Sequence, residues 1–465
     1  MVSNDITVVY VNTSKHMNTQ ETFSTLKLKS TLLKFTIKVL YTCLNFQTLF
    51  CLESDLFMDK SLVIGTQSFY FSQFIHEGIE NALKNMVEKG GINTLLLASH
   101  IDYQSTETWG PLPNSTDENY ESYGFNCEPC PEFYEKTIIK PVKTTIPILH
   151  ERDLFREVMD ACKKIDIQVY ALIVHRFPDV DRYPTLNMKT VNGQSVPKTL
   201  CHNQPDVIRF YDSLIDHLDT KYELDGFCFA LLDHYSLFGF QSLTDELADT
   251  LGIPSFSNPE MGLSCFCNVC VVEAESNGID VNKVKKGLLE GIKLGFIPHK
   301  VEKMKTADEA IRFLLSVPEY LDWLRFRSSI MTRLHKRLYK RVKSKQRDYK
   351  VGLDIYGAND DWKYQTQFAE LSKFCDWIKP MFYSCTYDAP LSPKEIGEGV
   401  KLARELSGKP IYPGINCLPT ESEDKIRSAV QCAMENGAEG AILSWDYCLT
   451  PFKNMLTAKT ELLKN

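Results

Sequence analysis

Acidic and basic side chains stand at the ends of several short apolar runs in this chain. Two aspartates are the strongest candidates for chemistry, because Asp233 follows the run GFCFALL and Asp354 lies within the run KVGLDIY. Two carboxyl groups that face one another across a cleft can act on a glycosidic bond, one as general acid and the other as nucleophile or base. We therefore predict Asp233 and Asp354 as a catalytic pair, with His234 or Lys379 beside the ionised partner.

Other polar and aromatic side chains at the same kind of position form a set that suits a sugar. Aromatic faces pack on the C–H patches of sugar rings, and carboxylates, histidines and lysines bind the hydroxyl groups. Asp446 is also the reserve carboxylate, which would replace Asp354 in the catalytic pair if the Asp354 side chain points away from the cleft. His175 equally fits a buried core histidine, and Lys379 must either pair with a carboxylate or point out of its apolar strand. The predicted substrate-binding residues are His100, Asp102, His175, His234, Tyr356, Lys379, Tyr383, Trp445 and Asp446.

Two cysteine motifs have the spacing of metal ligands: Cys127-Glu-Pro-Cys130, and Cys265, Cys267 and Cys270 in a C-x-C-x-x-C pattern. Four thiolates can hold a tetrahedral zinc ion, and an all-thiolate set leaves no open position for catalysis. The motifs therefore predict a structural zinc, and the chemistry itself requires no cofactor. Free thiols are the alternative, and Cys127 is the other candidate for the fourth ligand. The predicted metal ligands are Cys130, Cys265, Cys267 and Cys270.

These residues can meet only if the runs that carry them are parallel strands sharing one edge. The chain repeats a unit of apolar run, polar loop and amphipathic helix, which is typical of parallel strands joined by helical crossovers. Eight units favour an α/β protein with a closed (β/α)8 TIM barrel over an open doubly wound sheet, and no Gly-x-Gly-x-x-Gly turn follows the first run. The predicted strands are 62–69, 94–100, 167–175, 226–232, 350–356, 377–383, 410–415 and 440–445.

Apolar residues three and four apart predict helices between the strands. Long loops follow the second and fourth strands, so both should lie over the carboxyl-terminal face, where barrels build their substrate clefts. The predicted organisation is an N-terminal extension over residues 1–57 and a barrel over 58–465 with a large insertion at about 234–306. The predicted helices are 78–88, 154–163, 206–218, 320–345, 397–406 and 424–435.

Composition argues against some classes of partner. The net charge is −8, and the basic residues form no stripe interleaved with aromatics, which argues against a nucleic-acid partner. Fifteen cysteines, several of them within apolar runs, favour a reduced compartment and so the cytoplasm over secretion. The stretch 39–52 is short for a membrane span and is interrupted by Asn45 and Gln47, so no stable span is expected. A homo-oligomer is left open.

Five segments of the chain form a recognisable set: LDGFCF (224–229), SCFCNVC (264–270), WLRFR (323–327), TLCHNQP (199–205) and GAEGAILSWD (437–446). They resemble segments of uncharacterised bacterial proteins grouped as hypothetical glycoside hydrolases. The cysteine loop is also similar to that of clan A β-galactosidases, which bind zinc through four cysteines. The resemblance spans roughly 62–447 and implies a TIM-barrel enzyme acting on carbohydrate.

The catalytic residues depart from that family. Clan A enzymes place a Glu after strand four and another after strand seven, whereas here Asp233 follows strand four and no carboxylate follows strand seven before Glu421. The clan A mechanism therefore cannot be transferred. Besides a glycosidase, the pattern allows a sugar-acid lyase, isomerase or lactonase with a divalent metal, or a non-catalytic carbohydrate-binding barrel.

Overall fold

The computed structural model describes residues 62–105, 121–144, 150–174, 182–232, 264–293, 315, 318–358, 366–383, 391–444 and 446–464. Residues 63–465 form one compact unit, and the predicted extension over 1–57 lies outside the described residues. The strands are β1 (Val63–Ser68), β2 (Thr94–Ala98), β3 (His100–Ser105), β4 (Glu121–Phe125), β5 (Gln168–Val174), β6 (Asn187–Lys189), β7 (Ser195–Leu200), β8 (Gly226–Ala230), β9 (Lys350–Tyr356), β10 (Trp377–Phe382), β11 (Gly414–Ile415) and β12 (Gly440–Leu443).

Helices cover the outside of the strands, and no helix in the described part of the chain is both long enough and apolar enough to cross a bilayer. A π-helical turn over Met86–Gly90 extends the second helix. The helices are α1 (Ser72–His76), α2 (Ile79–Asn85), α3 (Leu154–Lys164), α4 (Pro205–Lys221), α5 (Asn268–Ser276), α6 (Val281–Lys293), α7 (Tyr320–Lys343), α8 (Phe368–Leu371), α9 (Pro393–Ser407), α10 (Glu423–Glu435) and α11 (Phe452–Leu462).

Eight of the strands close into a parallel barrel in the order β1-β12-β11-β10-β9-β8-β5-β2. The barrel is closed because its first strand, β1, pairs in parallel with β2 on one side and with the last strand, β12, on the other. The remaining strands make two antiparallel hairpins, β3–β4 and β6–β7, in the connections that follow the second and third barrel strands. The predicted (β/α)8 barrel is therefore confirmed.

The strand bounds agree with the sequence prediction to within a few residues, except at the seventh barrel strand. The prediction began at Pro410, whereas β11 is Gly414–Ile415. Proline has no N–H to donate to a ladder, and both Pro410 and Pro413 lie in this stretch. Only an isolated bridge between Ile411 and Ile378 pairs the earlier part with β10.

Large side chains fill the amino-terminal half of the barrel interior. Trp377 packs edge-on against Tyr170, with ring centroids 5.4 Å apart. Gly352 makes room for the indole, because a Cβ at that position would stand 2.1 Å from the Trp377 ring. This packing continues through Leu96, Leu172, Cys228 and Ile442. Polar groups that share the interior must therefore lie nearer the carboxyl ends of the strands.

Helix α7 is the long crossover between β8 and β9, and it is attached to α4 by a row of ion pairs. Arg337 contacts Asp212 at 2.6 Å, and Arg341 pairs with Asp216 one turn further along. Each of these exposed pairs contributes at most about 1 kcal/mol. The buried side chains next to these arginines on α7, among them Ile330, Leu334 and Leu338, contribute more to the packing of the helix.

Candidate functional site

Three buried polar side chains from three strands meet inside the barrel. Asp354 on β9 and Lys379 on β10 are register partners, and Lys379 Nζ lies 2.8 Å from Asp354 Oδ2. Gln67 on β1 donates from Nε2 to the same oxygen at 2.8 Å and accepts from Lys379 Nζ at 2.8 Å. The side chains of Lys379 and Asp354 are 0% and 3% exposed. We call Gln67, Asp354 and Lys379 the interior triad.

The triad holds one oxygen of Asp354 and leaves the other without a protein partner. Oδ2 accepts from both Lys379 and Gln67, whereas Oδ1 is buried and accepts no hydrogen bond from the described residues. Charge-assisted hydrogen bonds of this kind are short and strong, so the carboxylate is fixed in position. Of the two alternatives for Lys379, pairing with a carboxylate is the one the structure shows.

Aromatic side chains lie next to the triad on the side of the strand ends. Tyr356 and Tyr383 pack with Met381 in a buried cluster. The hydroxyl of Tyr383 donates to Ser444 O at 2.7 Å, and its ring lies 5.0 Å from Lys379 Nζ. The bare backbone of Gly414 permits this placement, since a Cβ there would stand 2.6 Å from the Tyr383 hydroxyl oxygen. Two predicted sugar-binding aromatics are thus brought beside Asp354.

Backbone strain marks two ends of the barrel strands. Leu231 directly after β8 and Ser444 directly after β12 have φ of 54° and 55°, in the left-handed region that non-glycine residues avoid. Such a conformation costs of order 1–3 kcal/mol and is found most often at functional sites. Leu231 N donates to Asp354 O at 2.9 Å, and this hydrogen bond joins the end of β8 to β9, the strand that carries Asp354.

Asp446, the predicted reserve carboxylate, is occupied by the backbone. Its Oδ2 accepts from the N–H groups of Phe69 and Tyr70 at 2.6 and 3.3 Å, and its Oδ1 accepts from Cys448 N at 2.8 Å. Burial raises the pKa of Asp446 to about 6, although these hydrogen bonds oppose the shift. Oδ2 thus joins the segment after β12 to the segment after β1, whereas Oδ1 caps the short turn Tyr447–Leu449. The reserve role was predicted for an Asp354 that points away, and it stays a prediction.

His100 lies in a side cluster rather than beside the triad. Its Nδ1 is 2.9 Å from Ser99 Oγ, its ring stacks on Phe125 at 5.5 Å, and Phe210 of α4 packs edge-on against it. Burial lowers the pKa of His100 to about 4. The ring is part of the packing between the barrel and α4, and its assignment to the sugar site stays a prediction.

Other predicted site residues are not placed. The backbone of Asp102 belongs to β3, but its side chain is not among those that the structure describes. The residues that lie wholly outside the described ranges are Asp233, His175, His234 and Trp445.

Sequence reasoning missed Gln67 and assigned no role to Glu421. Gln67 stands in the run VIGTQS, where one polar residue among apolar ones gave no sign of facing inward. Glu421 follows β11 by six residues, yet Asn416 Nδ2 donates to its Oε1 at 3.0 Å, and its side chain is only 11% exposed. A carboxylate therefore does lie against the end of the seventh barrel strand, brought back by a turn.

Four buried cysteine thiols form a second polar site, which we call the four-cysteine group. Their sulfur atoms all lie within 4.8 Å of one another, and no other group of three or more potential metal ligands occurs among the described residues. The predicted proximity of the three C-x-C-x-x-C cysteines is confirmed. The members are Cys201, Cys265, Cys267 and Cys270.

The fourth member corrects the prediction of Cys130. Cys201 directly follows β7, and the β6–β7 hairpin also holds the cysteine loop, because Lys189 O accepts from Phe266 N at 2.8 Å. Cys127 instead contacts Ser99 O at 3.5 Å, beside β2. The loops that meet are therefore those after the third and fourth barrel strands, not those after the second and fourth. The signal was present in TLCHNQP, where a cysteine stands just before a helix.

The group has the dimensions of a tetrahedral thiolate site. Four sulfurs about 2.3 Å from a central zinc would stand roughly 3.8 Å apart. Cys201 Sγ lies 3.5 Å from Cys270 Sγ and 3.7 Å from Cys267 Sγ. Backbone N–H groups of Lys189 and Cys267 donate to Cys265 Sγ at 3.4 Å each, as outer-shell donors do around metal thiolates. These residues fit the ion.

Electrostatics within the group favour the loss of one proton and oppose the loss of others. Hydrogen bonds from Cys201, Cys265 and Cys270 lower the pKa of the Cys267 thiol, whereas hydrogen bonding to Cys265 and its neighbours raises that of Cys201. One thiolate is thus stabilised by the other thiols. A divalent cation is needed before all four can ionise together, because like charges at this spacing repel.

No family model and no curated protein matches this chain. Among solved structures, the PgaB (BpsB) glycoside hydrolase domain from Bordetella bronchiseptica is similar at 11% identity and TM-score 0.50, covering 83% of this chain and 94% of its own. The α-L-fucosidase isoenzyme 2 from Paenibacillus thiaminolyticus matches at 12% identity and TM-score 0.47 (86% and 49% covered). The β-galactosidase from Marinomonas ef1 matches at 11% and 0.49 (86% and 59%). The chain thus spans about half to three fifths of the last two, and identities this low show a shared fold only.

Proposed function

We propose that this protein is a glycoside hydrolase that acts on a carbohydrate at the carboxyl-terminal mouth of its barrel. The observation that carries the proposal is the interior triad, where a buried carboxylate is fixed by Lys379 and Gln67 beside two tyrosines. Buried ion pairs are costly to desolvate, so their presence in a barrel interior is weak as a stability device and calls for another reason. Positioning a carboxylate for chemistry is such a reason.

In this proposal Asp354 is the nucleophile or general base, and Asp233 is the general acid. Lys379 and Gln67 occupy Oδ2 of Asp354, which leaves Oδ1 for a water molecule or for the reacting carbon. Asp233 follows the neighbouring strand β8 in the sequence, two residues beyond Leu231, whose N–H is bonded to the carbonyl of Asp354. Two carboxyl groups at adjacent strand ends can divide the acid and base roles between them.

Carbohydrate is the proposed substrate class because of the side chains predicted around that pair. His175, His234, Trp445 and Asp102 remain proposed as sugar ligands from their positions after barrel strands. Tyr356 and Tyr383 pack together beside the triad. The Tyr383 hydroxyl also donates to the carbonyl of Ser444 at the end of β12. Aromatic and polar groups together recognise sugar rings and their hydroxyls.

The test is hydrolysis of a panel of aryl glycosides and polysaccharides by the wild type and by Asp354→Asn and Asp233→Asn. Loss of acid–base or nucleophilic chemistry should lower kcat by about 10²–10⁴-fold in each variant. Asp225→Asn is the matched control, because Asp225 precedes β8 at the opposite end of the barrel and bonds Val169 N. Full activity in Asp354→Asn, or no hydrolysis of any glycoside by the wild type, would overturn the proposal.

We also propose that the four-cysteine group holds a structural zinc ion. Cys201, Cys265, Cys267 and Cys270 would supply four thiolates, and a bound zinc would crosslink the loops after the third and fourth barrel strands. Four thiolates leave no site for substrate, so this ion would have no part in the hydrolysis. Elemental analysis of the purified chain should find equimolar zinc, and metal-free protein that binds none on titration would refute the assignment.

A further inference from the structure

We infer that Arg327 is the counter-cation of the four-cysteine group and sets its affinity for zinc. This inference rests on the zinc proposed above. Arg327 lies on α7, far along the chain from the cysteines, and its side chain is buried with 1% exposure. A guanidinium that is almost completely withdrawn from water calls for an anion close by.

Stacking attaches this face of α7 to the cysteine loop. The ring of Trp323 stacks on Phe266 with centroids 4.4 Å apart and an interplanar angle of 6°. Phe266 lies between Cys265 and Cys267, so the stack fixes α7 against the group itself. Arg327 follows Trp323 by four residues, which is about one helical turn, and therefore projects from the same face.

The charge of Arg327 acts on two of the four sulfurs. Burial lowers the pKa of Arg327, and attraction to Tyr320, Cys265 and Cys270 opposes that shift. Its Nη1 also donates to the Tyr320 hydroxyl at 3.3 Å. The guanidinium is thus within electrostatic range of the thiols and is hydrogen-bonded to a tyrosine two turns earlier on the helix.

A charge balance explains why a cation belongs here. Zinc with four thiolates carries a net charge of −2, and a buried dianion is costly unless positive charge stands near it. Arginine keeps its charge in any protein environment, unlike lysine or histidine. One guanidinium therefore halves the net charge of the loaded site.

The side chains that hydrogen-bond the sulfurs are neutral amides, and Lys285, which is only partly buried, lies 5.6 Å from the Phe266 ring centroid. Asn203 and Gln204 donate side-chain amides to Cys270 and Cys267 at 3.8 and 3.7 Å. Arg333, further along α7, lies 2.6 Å from Glu273, so its charge is matched by that carboxylate. Arg327 is thus the cation expected to stabilise the zinc-loaded form.

The experiment compares the zinc affinity of the wild type, Arg327→Met and Arg327→Lys by competition with a chromophoric chelator. Loss of an outer-shell partner typically weakens metal binding 10–100-fold, which is the result expected for Arg327→Met. Arg327→Lys should recover most of the affinity, since it restores the charge. Arg337→Met is the control, because that arginine is half exposed and pairs with Asp212 on α4; its affinity should equal that of the wild type.

A role in packing or in hydrogen bonding to Tyr320 would give a different pattern. Tyr320→Phe removes that hydrogen bond and keeps the charge, so it should bind zinc as the wild type does. If Arg327→Met fails to fold, Arg327→Gln and Arg327→Lys are compared instead, as both can hydrogen-bond and only one is charged. Equal affinity in the charged and uncharged variants would overturn the inference, whereas a wild type that binds no zinc would overturn the zinc site itself.

Discussion

The interior triad and the four-cysteine group are both buried polar sites, but they satisfy their charges in different ways. The triad contains a cation, an anion and an amide that bond one another at 2.8 Å, so its charges are paired among its own members. The four-cysteine group brings together four side chains of the same kind, which cannot all ionise without an external cation. The charges of the triad are thus balanced by complementary residues, whereas ionisation of all four cysteines would need a bound cation.

The difference follows the elements that carry each site. The triad side chains belong to β1, β9 and β10, whose register fixes them without further support. The cysteines lie in connections, one after the β6–β7 hairpin and three at and before the start of α5. Loops have few backbone contacts of their own, so a crosslink contributes more there than it would in the barrel. Strand register therefore holds the polar groups of the triad, and the proposed zinc would hold those of the four-cysteine group.

Acid should produce the largest effect, because it acts on buried histidines outside both sites. Burial lowers the pKa of His100, His217 and His335 to about 4, from an ordinary value of 6.5. A depressed folded pKa gives stability that is present above pH 6.5 and lost as the pH falls towards 4. The loss should be roughly 3 kcal/mol for each histidine. Asp446, with its raised pKa, changes in the opposite sense but is a single group.

Denaturant unfolding of the zinc-free wild type and of zinc-free Cys270→Ser between pH 7.5 and pH 4.5 checks this expectation. The two proteins should lose unfolding free energy with parallel slopes, since the histidines are common to both. If the unfolding free energy fell steeply with pH in the wild type alone, the acid sensitivity would belong to the four-cysteine group. A flat profile in both would contradict the histidine account.

Lys379→Met should break the triad and destabilise the barrel by about 3–5 kcal/mol, since it leaves the buried carboxylate of Asp354 unpaired. Combining Lys379→Met with Asp354→Asn should recover most of that loss, because no buried charge then remains. Lys373→Met is the control: its pairing with Glu370 is exposed and contributes under 1 kcal/mol. Urea unfolding measures all three. An unaltered stability in Lys379→Met would show that the triad does not depend on charge pairing.

Removing zinc should destabilise the wild type by about 2.7 kcal/mol relative to protein with free zinc at a hundred times its Kd. Thermal unfolding with a chelator, and then with excess zinc, measures the shift. Lys379→Met should unfold at a lower temperature than the wild type but show the same increase on addition of zinc, because the two sites are independent. Cys270→Ser should show none. A zinc response that changes in Lys379→Met would mean that the two sites are coupled.

The fold could be predicted from the sequence because strand and helix patterns are local. The apolar runs that became β9 and β10 were found with bounds correct to within one residue. The sites were harder, because their members come from distant parts of the chain. Cys201 contacts Cys267 across 66 positions and Gln67 contacts Asp354 across 287, and no local pattern encodes such pairs. Lys379 was identified because a lysine inside an apolar strand is locally anomalous.

The seam at which the barrel closes has a consequence for how the chain is made. β1 pairs with β12, and Asp446 bonds the backbone of Phe69, which precedes it by 377 residues. Ribosomes add about 5–20 residues per second, so tens of seconds pass between the synthesis of the two sides of the seam. Throughout that interval one edge of β1 has no partner, and an unpaired strand edge is a template for aggregation. The newborn chain is therefore most in need of a chaperone before its last strand has left the ribosome.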